Sequence, residues 1–360
     1  MKIILSGGGT LGPVTPLLAI YETIKKAHPD AEFFWVGTKR GPERQLVEQK
    51  GIKFITLSSG KFRRYLSIWN ITDLVRVIIG FFQSLYIMWK YSPDICISAG
   101  GFISVPLHWA SWFFGIPTWI HQQDIKVGLA NKLMAPVAKT ITTALEPSIK
   151  DFSKNKTKWL GNPVRADILK GDRNRGYERF GLKPDLPVIF ATGGGTGSLR
   201  VNQLVVEASQ HLRGIAQIIH LSGKERPHEL TEKASSIYDW YHHYEFLSSE
   251  MGDAYAVADI VISRGGFGSI TEIAALGKPA ILIPKPGHQE NNVKFLADAG
   301  AVLLVNEQTS DGNYLAKVIK ELLKSKEQQN GMVKKLSESM PLAKAGDILE
   351  IVERLFRDNK

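Results

Sequence analysis

The chain has 360 residues, 44% apolar and 22% charged, which excludes disorder as the default and leaves room for two folded domains. Lys and Arg outnumber Asp and Glu by 45 to 35, a formal charge of +10. That excess points to an anionic partner, whether nucleic acid, a phosphorylated substrate or an acidic lipid surface, and does not choose among them.

The N-terminus passes from Met1-Lys2 directly into the apolar run KIIL, without a charged leader, apolar core and cleavage site, so export is not expected. The run enters GGGTLGP and then a segment of helical period. A strand that runs into glycines and then a helix exposes backbone N–H groups and the positive end of the helix dipole, and suits a phosphate or diphosphate. Gly7, Gly9 and Gly12 have the G-x-G-x-x-G spacing of dinucleotide folds. The second strand-like run ends in Gly37-Thr38-Lys39-Arg40, without the acidic ribose ligand of that fold, which disfavours NAD and leaves NADP open.

Through residue 145, short β-branched runs (KIIL, EFFWVG, DICISAG, PTWIHQ, KTITTA) alternate with longer helical segments. This is the pattern of parallel strands joined by helices, and a doubly wound α/β domain is expected. Cys96, the single cysteine, lies in one such run and is expected to be a small buried hydrophobe rather than a nucleophile. The longest apolar stretch, residues 74–89, contains Arg76 and Gln83 and falls short of the ~20 apolar residues that cross a bilayer. With PLHWASWFFGIPTW at 106–119 it carries Phe81, Phe82, Trp89, Trp109, Trp112, Phe113 and Phe114. About half of these are expected in the core. The rest, with Lys61, Arg63, Arg64, Arg76 and Lys90 nearby in sequence, would form an apolar surface with a basic rim, suited to anionic lipid headgroups.

After WLGNPVRADIL the pattern restarts with PVIFATGGGTGSLRVNQLVVEAS and continues through AQIIHLSG, YEFLS, DIVISRGG and PAILIPKP. A second, similar domain is expected. Gly161-Asn162-Pro163 is the natural linker, since Pro163 biases its predecessor away from helix, and the second crossing is placed near Met340-Pro341. The expected division is 1–162, 163–340 and a terminal helix in 341–360. That helix has Ile348, Leu349, Ile351, Val352, Leu355 and Phe356 at helical spacing and must bury one face.

The second half holds two more glycine loops, Gly193 to Ser198 and SRGGFGSITEIAALGKP at 263–279. The latter leads into a helix expected to begin near Ser269, with Glu272 in its first turn. A glutamate there complements the helix dipole or completes a capping box. Beside a phosphate-binding helix end it can instead accept both hydroxyls of a ribose. Pro279 after Gly277-Lys278 excludes a Walker lysine.

Taken in order along nearly the whole chain, GGTLGPVTP, GGFISVP, HQQDIKVGLANK, GNPVR, GGGTGSLRVN, SRGGFGSITEIAALGKPAILIP and HQENNVKFLADAGAV resemble the MurG family. These are the N-acetylglucosaminyltransferases of peptidoglycan synthesis. The resemblance implies an α/β fold of the GT-B class, two Rossmann-like domains facing across a cleft, with no cofactor. The C-terminal domain would take UDP-N-acetylglucosamine. The N-terminal domain would take the undecaprenyl-diphosphate-linked muramoyl peptide, lipid I, and the terminal helix would return to it. The acceptor 4-hydroxyl would displace UDP with inversion, at the cytoplasmic face of an anionic membrane and with no nucleic acid involved. No D-x-D occurs in the sequence, so the metal-diphosphate device of the other major glycosyltransferase fold is missing. Helix ends and a basic side chain would then stabilise the departing diphosphate.

Residue by residue, the resemblance makes Glu272 the ribose ligand and Gly268-Ser269 the helix start beneath the diphosphate. Leu247 stands where a backbone contact to uracil is expected, Arg165 matches the arginine reaching the nucleotide-sugar, and Gln289 and Asn292 lie near the sugar hydroxyls. Thr10, Leu11, Gly12, Gly195 and Thr271 complete the expected substrate-binding positions, and Phe81, Phe82, Trp89 and Trp112 the membrane contacts. The chain departs from the family pattern at Pro13, where the histidine often proposed as general base is lost. It departs also at Gln122, Asp124 and Gly195, which replace glutamate, asparagine and serine. Asp124 is therefore the expected general base, with His121 the weaker candidate and an unassisted, leaving-group-driven reaction as the alternative.

Three rivals remain at this level. An NADP-dependent oxidoreductase would need one nucleotide loop and gives no role to HQENN and GNPVR. A non-catalytic nucleotide-sugar binder fits the loss at Pro13. A related glycosyltransferase could use another lipid acceptor.

Overall fold

The computed structural model describes residues 1–39, 41, 43–58, 69–195 and 197–359, with the backbone alone for 69–75. The elements of the first half are β1 (Lys2–Ser6), α1 (Val14–Ala27), β2 (Glu32–Gly37), α2 (Glu43–Gln49), β3 (Lys53–Thr56), α3 (Trp69–Tyr91), β4 (Ile95–Ser98), α4 (Ser104–Phe113), β5 (Thr118–Gln122), α5 (Leu129–Met134), β6 (Thr140–Thr143) and β7 (Thr157–Trp159). Those of the second are α6 (Arg173–Phe180), β8 (Val188–Thr192), α7 (Leu199–Ser209), β9 (Gln217–Leu221), α8 (Glu229–Ile237), β10 (Tyr241–Tyr244), α9 (Met251–Val257), β11 (Ile260–Ser263), α10 (Phe267–Ala275), β12 (Ala280–Leu282), α11 (His288–Asp298), β13 (Leu303–Leu304), α12 (Gly312–Lys324) and α13 (Lys326–Ser339). The last helix is α14 (Ala345–Asp358).

Two compact units result, one of residues 1–165 with 342–360 and one of 166–341. The divisions fall after Arg165 and Pro341, slightly beyond the expected 162 and 340. Each unit holds a parallel sheet, in the order β3-β2-β1-β4-β5-β6-β7 in the first and β10-β9-β8-β11-β12-β13 in the second.

Alternation along the strands explains why each sheet is covered on both faces. Successive side chains of a strand point to opposite faces. Ile3, Leu5, Phe33, Trp35, Ile95 and Ile97 enter one core with α1 and α14. Their neighbours Ile4, Phe34, Val36 and Cys96 enter another with residues of α3 and α4. Cys96 is the buried small apolar side chain expected, and burial pushes its thiol up to about 12. The second sheet repeats the device: Ile189 and Ala191 face the core lined by α7 and α12, while Phe190 meets Tyr255 edge-on at 4.9 Å.

Helix α14 buries Ile348, Ile351, Val352 and Leu355 in the first unit's core, beside Leu17, Ile20 and Ile24 of α1. Each fully buried side chain of this kind contributes about 1.5–3 kcal/mol. The return is pinned where Ala343 N donates to Asn162 O at 3.2 Å.

Candidate active site

In an open parallel sheet the loops that leave the strand carboxyl ends diverge where the strand order reverses, and ligands bind there. In the first unit the reversal lies between β1 and β4. The loop after β1 ends in Pro13, whose φ of −68° begins α1, and no side-chain cap is present. A proline suits that position because its missing N–H would have had no helical partner. Leu11 O accepts from Val14 N at 3.1 Å, and Gly12 O from the Thr15 hydroxyl at 3.4 Å. Thr10 is exposed, Leu11 and Gly12 half-buried. The loop after β4 comes close: a Cβ on Gly101 would lie 3.4 Å from Gly8 O, and Gly101 has a φ of +91°, so only glycine fits without strain.

The first loop is held from beneath by a residue the sequence did not single out. Glu43 is fully buried, and its carboxylate accepts from Gly9 N at 3.3 Å, Thr38 N at 2.7 Å and the Thr38 hydroxyl at 2.6 Å. One loop amide that a phosphate could have used is thus directed inward. The sequence signal was only a helix-opening acid, which the dipole alone explains.

Asp124 follows β5 at the same rim and is half-buried. Its carbonyl accepts from Gln122 Nε2 at 2.7 Å, and Gln122 Oε1 accepts from Asn131 Nδ2 at 2.5 Å, so the loop is tied to α5. His121 is a correction. It is fully buried, with Nδ1 2.9 Å from the Thr142 hydroxyl and Nε2 2.9 Å from Asn162 Oδ1. The Asn162 oxygen needs a donor, which puts the ring proton on Nε2 and makes Nδ1 accept from Thr142. Burial lowers the imidazole to about 4. With both nitrogens engaged and no solvent access, His121 is a structural residue that has no lone pair to offer an acceptor hydroxyl. Arg165, half-buried, is the last residue of the first unit before the chain crosses to the second.

In the second unit the reversal lies between β8 and β11. After β8, Gly194 and Gly197 have φ of +79° and +71°, Gly195 is exposed, and Thr196 lies outside the described residues. Ser198 caps α7 by accepting from Val201 N at 3.2 Å. After β11, Gly266 is the N-cap of α10 in extended geometry, so the helix begins at Phe267 rather than near Ser269. Buried Phe267 anchors that start, and Gly268 and Ser269 occupy the first turn. Glu272 consequently stands in the second turn, where it serves neither a capping box nor the dipole. Its Oε2 accepts from the Tyr255 hydroxyl at 3.1 Å. Thr271 is buried and donates to Phe267 O at 2.8 Å. Gln289 and Asn292 share one face of α11. Asn292 is buried, and Gln289 Oε1 accepts from Lys285 N at 3.2 Å. A Cβ on Gly266 would lie 3.9 Å from Gln289 Nε2, so the two segments adjoin. Leu247, after β10, is buried.

On the first unit, α3 and α4 pack together and expose Phe82, Trp89 and Trp112 at 65%, 69% and 59%, with Phe113 at 69%. Phe81 is half-buried and packs against the core with Leu85 and Tyr91, so it offers less surface than the other three. Arg76 and Lys90 are exposed, and Lys90 Nζ lies 5.4 Å from the Tyr86 ring centroid. Lys61, Arg63 and Arg64 lie outside the described residues. Among the described residues, no helix is long and apolar enough to cross a membrane.

The glycosyltransferase family 28 N-terminal domain matches residues 3–143, and the family's C-terminal domain matches 188–346. A relative from Clostridium kluyveri is 36% identical over 98% of this chain and 99% of its own length. It is named UDP-N-acetylglucosamine--N-acetylmuramyl-(pentapeptide) pyrophosphoryl-undecaprenol N-acetylglucosamine transferase. This chain belongs to the MurG family. A family member of the same name from Legionella pneumophila is 31% identical over 93% of the chain and 92% of its own length. The crystal structure of Acinetobacter baumannii MurG superposes with a TM-score of 0.74 at 22% identity, covering 98% and 99% of the two chains. A putative UDP-N-acetylglucosamine 2-epimerase from Listeria monocytogenes gives 0.71 at 16%, covering 99% of this chain and 97% of its own. The chain has the α/β GT-B fold class, with two Rossmann-like domains. As a member of the MurG family the chain is a glycosyltransferase rather than an oxidoreductase.

Proposed function

We propose that the chain transfers N-acetylglucosamine from UDP-N-acetylglucosamine to the 4-hydroxyl of lipid I, with inversion, giving lipid II. The observation that carries the reading is the full-length match to relatives named for this transfer. The switch-point rims support it. In the second unit the α10 start would lie beneath the diphosphate, with Glu272 on the ribose, Leu247 at the uracil, Thr271 and Gly195 lining the site, and Gln289 and Asn292 at the sugar. In the first unit Thr10, Leu11 and Gly12 would meet the acceptor, and Arg165 the nucleotide-sugar.

In the reaction the acceptor oxygen bonds to the anomeric carbon as the bond from that carbon to the diphosphate oxygen breaks. The hydroxyl proton passes to Asp124. The charge that develops on the diphosphate is met by the amides and dipole of α10, a glycine-capped end with no acid in its first turn to compete. The acceptor is lipid-anchored, and the exposed aromatics of α3 and α4 with Arg76 and Lys90 suit reversible attachment to an anionic membrane at its cytoplasmic face.

Turnover with radiolabelled UDP-N-acetylglucosamine and a lipid I analogue tests the reading. Label is expected in the lipid product in step with UDP release. UDP binding without transfer would overturn it in favour of a non-catalytic binder, and transfer to a different lipid alone would reassign the acceptor.

A further inference from the structure

We propose that Glu307 is a positioning residue, which locks the two glycine loops of the second unit to one another by holding Arg264. The inference rests on the reading of that unit as the UDP-sugar site. Glu307 lies between β13 and α12, and its carboxylate accepts from Arg264 Nη1; both side chains are 15% exposed. Arg264 is the first residue after β11, at the head of the loop that passes through Gly265 and Gly266 into α10. The same Glu307 uses its carbonyl oxygen to accept from Arg200 Nε at 2.8 Å, and Arg200 Nη2 donates to Ser310 O at 2.6 Å. Arg200 is the second residue of α7, immediately beyond the other glycine loop and its Ser198 cap. One short segment therefore grips the start of the β11 loop and the helix that receives the β8 loop, on the two sides of the strand reversal.

The segment is itself fixed. Val305 N donates to Leu282 O at 2.9 Å, Ser310 N to Asn306 O at 3.1 Å and Gln308 N to Asn306 Oδ1 at 2.8 Å. The loops need such a brace because glycines have no side chains with which to hold a shape. A diphosphate cradle of backbone amides is useful only when those amides are kept within a few tenths of an ångström of their working positions. Arg264 and Glu307 are largely buried, so removing either partner's charge leaves the other uncompensated and frees the β11 loop to shift.

The test is UDP titration calorimetry on the whole protein, with unfolding in urea measured in parallel. Glu307→Gln is expected to lower the unfolding midpoint, because the Arg264 charge is left uncompensated, and in addition to weaken UDP binding by the folded protein about tenfold. Arg264→Gln should weaken it by a similar factor, and the double variant no further, because both remove one interaction. Glu307→Asp, which keeps the charge on a shorter stem, should recover part of the affinity, and it carries the test if Glu307→Gln does not fold. A lowered midpoint with unchanged UDP affinity would make the pair merely structural, and additive losses would sever Glu307 from Arg264; either result overturns the proposal. Failure of the unaltered protein to bind UDP would instead remove the nucleotide reading on which it stands.

Discussion

Tyr255 points its hydroxyl at Glu272 Oε2, 3.1 Å away, from a ring that is 1% exposed and packed on Phe190. A buried phenol thus fixes one oxygen of a carboxylate on α10. Glu272→Ala is expected to weaken UDP itself, because ribose is common to every UDP-sugar, by roughly 1.5–3 kcal/mol. Tyr255→Phe removes the orienting bond and should cost about 0.5–1.5 kcal/mol. Calorimetry with UDP decides both, and undiminished affinity in Glu272→Ala would remove the ribose assignment.

Gln289 offers a contrasting pattern. Its side chain lies by Gly266, and Gln289→Ala is expected to leave UDP affinity nearly unchanged while eroding discrimination between UDP-N-acetylglucosamine and other UDP-sugars, by about 0.5–1.5 kcal/mol for a neutral hydrogen bond. Competition between sugar nucleotides in a turnover assay measures it.

Asp124→Asn keeps shape and hydrogen-bonding capacity while deleting the base. Retained UDP-N-acetylglucosamine binding with turnover lowered at least about a hundredfold is expected. Near-normal turnover would leave the reaction driven by its leaving group. Because His121 is sealed from solvent, a pH–rate profile should not follow its protonation.

The buried histidines make stability fall in acid. Burial holds His121 at about 4 and both His108 and His220 at about 3, against 6.5 when unfolded. The unfolded chain therefore binds more protons between these values and 6.5. Their stabilising share is complete above pH 6.5 and is lost as pH falls towards 4 and 3, roughly 3 kcal/mol from His121 alone. Urea midpoints at pH 7.5, 6 and 5 should descend, with a shallower slope in His121→Gln; a flat profile would contradict the burial argument.

Membrane binding should strengthen with anionic lipid and weaken with salt, since each nearby Lys or Arg contributes about 1 kcal/mol at such a surface. Trp89→Ala or Phe82→Ala should lower sedimentation with anionic vesicles, at about 1.5–3 kcal/mol for each inserted side chain. Phe81→Ala, at a half-buried position, should reduce stability and lower vesicle binding less than Trp89→Ala or Phe82→Ala does. Equal binding to neutral vesicles would remove the basic rim from the account.

The strands and glycine loops were legible because period-two runs and glycine clusters are local patterns, read without knowing what lies across the fold. Glu272 reads from the sequence as a first-turn residue and stands in the second turn, because the sequence does not say which of Gly265, Gly266 and Gly268 adopts the extended cap. That choice is made by the burial of Phe267, a tertiary fact. Phe81 and Phe82 are identical in type and adjacent, so only the phase of α3 against its sheet leaves one half-buried and the other in solvent. Glu43 escapes notice in the sequence, and His121 looks like a candidate base there, for a common reason. Their partners, Gly9 and Thr38 for the one and Thr142 and Asn162 for the other, are brought together only by the finished sheet.

The return of α14 to the first unit has a consequence for synthesis. Domains generally fold as units, N-terminal first, while the chain is being made. Here the first unit's core lacks Ile348, Ile351, Val352 and Leu355 until almost the whole polypeptide has been made, whereas the second unit is complete at residue 341. The nested unit can therefore reach its native state first, and the outer one waits with an apolar face on α1 uncovered. A stalled or clipped chain that ends before α14 would hold a finished second unit and an open, aggregation-prone first one.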